Sequence, residues 1–128
     1  MKKVIFVLLS ISIIVLSGCG NQEEYDAGAA AENYIIALVE KNKSQVVGLS
    51  CKEWEESATL EVDALLSVDA AVTGLNCEID GEDNMGTYVI CSGSLDLTYN
   101  DEIRAIDLSR RTYTLRLEDG QWRVCSYR

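Results

Sequence analysis

The hydrophobic period of this chain changes once, between residues 67 and 75, and that change restricts the fold classes open to it. Before it, apolar residues recur every three or four positions, as on one face of a helix. Ala27, Ala31, Tyr34, Ile35 and Leu38 form one such stripe, and Trp54, Ala58, Val62 and Leu65 form another. Ser44 is placed to cap a short turn carrying Val46 and Val47, and Ser50-Cys51-Lys52-Glu53 has the form of a capping box for the next helix. After Ser67 the period is two. Leu75, Cys77 and Ile79 alternate with polar neighbours, and an acidic turn over Asp80–Gly86 leads into Val89, Cys91, Leu95 and Leu97, with Gly93 as a bend. Beyond a turn at Tyr99–Glu102, Ile106 and Leu108 share one parity while Tyr113, Leu115 and Leu117 share the other. Ser109–Thr112 must therefore shift the register, most simply by a bulge. Asp119-Gly120 is a strong hairpin signal before Trp122, Val124 and Tyr127. N-terminal helices followed by a curved, four-stranded antiparallel meander make an α+β layout.

The first residues read as an address. Lys2 and Lys3 precede an apolar run from Val4 to Val15, too short for a membrane span of about 20 residues and suited to a secretory signal. Leu16-Ser17-Gly18-Cys19 resembles the lipobox of bacterial lipoproteins. That resemblance implies a signal peptide over 1–18, cleavage before Cys19, acylation of Cys19, and a lipid-anchored tether over 19–26 ahead of a domain over 27–128. Two or three acyl chains hold a protein on a membrane stably where one does so only marginally. The expected location is therefore exported, on the outer face of a bacterial membrane, with the lipid as the contact to it.

Set against Cys19, the other four cysteines are an even number, which in an exported domain reads as two disulfides. Zinc would want closely spaced pairs, and a catalytic thiol would want a histidine partner, of which the chain has none. Centring the first hairpin on residue 84 places Cys77 opposite Cys91. In a meander Cys125 is then at least two strands away, roughly 10 Å at about 4.8 Å per strand. That exceeds the ~7 Å limit for bridged Cα atoms and leaves Cys125 to Cys51. One tension remains: Cys125 has the opposite parity to Trp122 and Val124, so a bulge must intervene or Cys51 must reach around the sheet edge.

The layout, together with the closing Glu118-Asp119-Gly120-Gln121-Trp122-Arg123-Val124-Cys125, resembles the nuclear transport factor 2-like superfamily and its small lipoprotein members. The resemblance implies a cone-shaped, cystatin-like domain in which the sheet curls round the helices and encloses a pocket. In some members that pocket is catalytic, with Asp, His or Tyr as acid, base or water-holder; in others it only binds.

Parity tests which applies here. The inner face collects Leu75, Cys77, Ile79, Val89, Cys91, Leu95, Leu97, Ile106, Leu108, Tyr113, Leu115, Leu117, Trp122 and Val124. No strand carboxylate falls there, and the chain holds no His. The helical acids Glu53, Glu55, Glu56, Glu61 and Asp63 read as a solvated face. Asp80–Asn84 fails the spacing of a calcium loop, which needs Gly at position six and Glu at twelve. Neither a cofactor nor a metal is expected. The expectation is a binding module without catalysis, its cavity walled by Leu95, Tyr113, Leu115 and Trp122 and roofed by Tyr34, Trp54 and Leu65. A small apolar ligand would occupy it, or a protein partner would bind the sheet surface around it. The alternative is an enzyme of isomerase, dehydratase or hydrolase type that uses a helix or loop carboxylate.

Charge is uneven as well. The chain carries a net −10, yet residues 104–128 hold six Arg against three acids. A two-residue loop at Asp119-Gly120 sets Arg116 opposite Arg123, an unfavourable pair unless an acid or an anionic partner sits on that face. The acidic balance excludes nucleic acid, whose binding rests on neutralising phosphates.

Overall fold

The computed structural model describes residues 25–128. The expected signal segment, Cys19 and the tether as far as residue 24 lie outside the described residues. Among the described residues no helix is long and apolar enough to cross a membrane.

Helix α1 (Ala27–Val39) starts where the Asp26 carboxylate accepts from the Ala29 amide at 2.9 Å. Its expected stripe is buried throughout. Gly28 lets it lie hard against the sheet, because a Cβ there would stand 2.6 Å from the carbonyl oxygen of Cys77. Helix α2 (Lys43–Gly48) is capped by Asn42, whose side chain accepts from the Gln45 amide, and not by Ser44. The capping box at Ser50 does not form. Val124 donates its amide to the Leu49 carbonyl and Cys51 donates to the Val124 carbonyl, both at 2.8 Å, so this segment is held as an extended neighbour of the last strand. Ser50 is consequently buried and its hydroxyl donates back to the Val46 carbonyl. A 3₁₀ turn over Lys52–Trp54 then leads into α3 (Glu55–Leu65).

The sheet is antiparallel with five strands, not four: β1 (Asp69–Asp83), β2 (Gly86–Tyr99), β3 (Glu102–Asp107), β4 (Thr112–Glu118) and β5 (Gln121–Tyr127). The expected third strand is two strands that share one edge of β2. β3 pairs with Ser94–Tyr99 and β4 with Thr87–Ile90. Between them a 3₁₀ turn over Leu108–Arg110, nucleated by the Asp107 carboxylate on the Ser109 amide, takes the place of the expected bulge and changes the parity. At the opposite edge of β2, the pairing with β1 is irregular between Thr73 and Asn76, where Gly74 faces Gly93. Gly93 has φ +109, and a Cβ there would lie 2.6 Å from the Thr73 carbonyl oxygen.

Cys77 pairs with Cys91, but not through the turn assumed from the sequence. The loop is Asn84-Met85, with Asp83 opposite Gly86, and an irregularity at Asp80 restores the register further up. The disulfides join Cys77 to Cys91 and Cys51 to Cys125, with Cα–Cα distances of 4.0 and 4.7 Å. The parity conflict at Cys125 is resolved by a bulge. Leu115 pairs with Val124 and Thr114 with Ser126, so Cys125 is the extra residue and both it and Val124 are buried. Two disulfides fit an oxidising compartment.

The core lies between α1, α3 and one sheet face, around Tyr34, Ile35, Val62, Leu108, Tyr113 and Leu115. Ile79 and Leu117 share inner parity yet are 49% and 58% exposed. Parity assigns a face; burial also needs a helix opposite it, and both residues sit toward hairpin ends.

Candidate functional site

A cleft of about 210 Å³ opens between α3 and the sheet. Leu38, Ala64 and Leu65 form its helical side, and Leu95, Leu97 and Ile106 its apolar sheet side. Leu95 and Ile106 are register partners on β2 and β3, which makes that wall continuous. Three polar side chains complete the lining: Glu61 from α3, Arg111 at the end of the 3₁₀ turn, and Tyr127 from β5.

Glu61 is anchored from behind. The Tyr34 hydroxyl donates to its Oε1 at 2.8 Å, and the Trp54 indole donates to the Tyr34 oxygen at 3.1 Å. Burial lifts the Glu61 carboxyl above the ordinary carboxylate range, against the Tyr34 hydrogen bond and the Arg111 charge, which both pull it down. Burial also pushes Tyr34 well above the usual phenol range, and the Glu61 charge adds to the effect.

Arg111 is held differently. Its guanidinium lies 4.6 Å from the centroid of the Tyr127 ring, a cation–π contact. Tyr127 in turn packs against Tyr113, its register partner on β4, and against Trp54. The Tyr113 hydroxyl is buried with no partner in hydrogen-bond geometry among the described residues. Burial raises its pKa while Arg111 draws it back down. Arg111 and Glu61 thus line one cleft with opposite charges, yet no salt bridge joins them among the described residues.

The single cavity expected from the sequence is divided. Leu65 and Leu95 line the cleft. Tyr34, Tyr113 and Leu115 are fully buried in the core, and Trp54 is half-buried behind the cleft. Trp122 belongs elsewhere, in a surface depression of about 360 Å³ shared with Tyr25, Leu49 and Leu117. Glu61, Arg111 and Tyr127 were missed. Glu61 departs from the solvated face assigned to it because Trp54, Ala58, Glu61 and Leu65 follow helical spacing, which places it on the core stripe. Arg116 does face Arg123, and Glu53 forms a salt bridge with Arg116 on that face. Among the described residues no cluster of three His, Cys, Asp or Glu could hold a metal ion.

No family model and no curated protein matches the chain. Among solved structures it is similar to RPA3114, a SEC-C motif containing protein from Rhodopseudomonas palustris, with a TM-score of 0.53 and 12% identity over 80% of this chain and 78% of that one. It is also similar to the helical cell shape determining protein Pgp2 from Campylobacter jejuni, with a TM-score of 0.51 and 8% identity. That match covers 78% of this chain but only 38% of Pgp2. At these identities the likeness is one of fold.

Proposed function

We propose that this chain is a lipid-anchored, extracytoplasmic binding module with a cone-shaped, nuclear transport factor 2-like domain, and that its ligand occupies the cleft between α3 and the sheet. The observation that carries the reading is the cleft itself: an open, largely apolar lining that also contains a carboxylate and a guanidinium. Ligand sites combine this kind of apolar surface with a few orienting polar groups. Support for the location comes from the Lys pair, the apolar run, the Leu16–Cys19 lipobox and the disulfides. Titration with 1-hexanol tests the cleft, because Trp54 packs on Tyr127 at its wall and reports occupancy by fluorescence. A saturable change is expected; none at any concentration would remove the cleft as a ligand site. Mass spectrometry of the mature N-terminal peptide tests the anchor, which predicts acylated Cys19.

Glu61 favours a second reading, an enzyme using a helix carboxylate. A half-buried acid with a raised pKa beside a tyrosine is a suitable proton acceptor or donor. Turnover of a small carbonyl, hydroxy or ester substrate, abolished by Glu61→Gln, would establish it over pure binding.

A further inference from the structure

We propose that the occupant of the cleft is a free aliphatic α-amino acid of about leucine size, bound as a zwitterion; this rests on the cleft being a ligand site. Glu61 and Arg111 line one concavity with opposite charges, and among the described residues no salt bridge joins them. A ligand carrying only an acid would satisfy Arg111 and be repelled by Glu61. One carrying only an amine would do the reverse. A zwitterion meets both, with its ammonium on Glu61 and its carboxylate on Arg111, and brings no net charge into a partly desolvated site.

The two protein groups are prepared for this. Tyr34 holds one carboxylate oxygen of Glu61, while the Tyr127 ring holds the guanidinium plane of Arg111. Neither anchor carries a formal charge. Burial raises the Glu61 pKa despite the Tyr34 hydrogen bond and the Arg111 charge, so an arriving ammonium favours its charged form. The remaining wall, Leu65, Leu95, Leu97 and Ile106, accepts a branched aliphatic side chain. The volume is also suitable: about 210 Å³ is the share of roughly seven liquid waters, the scale of a molecule with under ten non-hydrogen atoms.

The experiment is calorimetric titration of the full-length protein with four probes of nearly equal shape: leucine, 4-methylpentanoate, 3-methylbutylamine and 4-methylpentanamide. Leucine is expected to bind at least tenfold more tightly than each of the others. Glu61→Gln should remove its advantage over 4-methylpentanoate, and Arg111→Gln its advantage over 3-methylbutylamine. Circular dichroism and urea denaturation confirm that both variants fold. If the four probes bind equally, or the amide binds best, the zwitterion is wrong while the cleft stands. If neither these probes nor 1-hexanol bind, the cleft reading itself fails.

Discussion

Tyr34 of α1 and Glu61 of α3 meet across 2.8 Å, with the tyrosine hydroxyl donating to a carboxylate that burial makes reluctant to ionise. The folded pKa of Glu61 lies above its unfolded value, so folding favours the protonated acid. That preference is fully present below the unfolded pKa and is lost as pH rises through the folded one. Glutamine carries no charge to desolvate, and its carbonyl still accepts from Tyr34. Glu61→Gln is therefore expected to raise the urea midpoint at pH 8 and to leave it near wild type at pH 3.5. Equal shifts at both pH values would show that ionisation of Glu61 is not the cause.

The two disulfides should contribute unequally. Cys51–Cys125 spans 74 residues and Cys77–Cys91 spans 14. The chain-entropy relation gives about 4.5 kcal/mol for the long loop and about 3 kcal/mol for the short one. Replacing both cysteines of the long bridge by Ala should thus lower stability more than replacing both of the short one. The long bridge also holds the segment before α3 against β5, where Cys51 and Val124 share a backbone hydrogen bond. Urea denaturation of the two double variants, with peptide mapping of the wild type, checks the order and the pairing.

What the sequence made legible follows from which signals are local. The α1 stripe, the Asp119-Gly120 turn and the opposition of Arg116 to Arg123 depend on spacing within one element or one hairpin, and each is present. The division of the third strand depends instead on an Asp107 cap that starts a 3₁₀ turn, which a parity count registers only as a break. Arg111 lies at the end of that turn, so the side of the sheet it reaches was not readable from alternation. Glu61 carried a usable signal in its spacing from Trp54, Ala58 and Leu65, but residue type outweighed it. Ser50 failed as a cap because its neighbours on both sides are hydrogen-bonded to Val124. No helical window contains that residue.

The facing arginines give a third test. Arg116 and Arg123 are register partners, and Glu53 balances them through Arg116, with the Glu53 side chain largely in solvent and that of Arg116 39% exposed. An exposed pair of this kind contributes about 0.2–1 kcal/mol. Glu53→Gln is expected to cost about that much and to leave two like charges opposed across the hairpin. The loss should shrink as salt is raised from 0.01 to 1 M, where screening shortens from about 30 to about 3 Å. A salt-independent loss would point to packing of the Glu53 side chain.

Leu95 decides whether the cleft is usable space. It is 5% exposed, its partner Ile106 continues the wall, and about 210 Å³ lies in front of them. A larger side chain can grow into that space without displacing Tyr34, Tyr113 or Leu115, which form the packed core. Leu95→Trp is therefore expected to abolish 1-hexanol binding while keeping stability within about 1 kcal/mol of wild type. In a filled interior the same substitution would force shifted rotamers and cost roughly 1–3 kcal/mol. Paired urea denaturation and titration separate the cases. Lost binding with retained stability means that the indole occupies the ligand's position. Lost stability means that the wall is closed by its own side chains, and the search for a ligand site would move to the depression at Trp122.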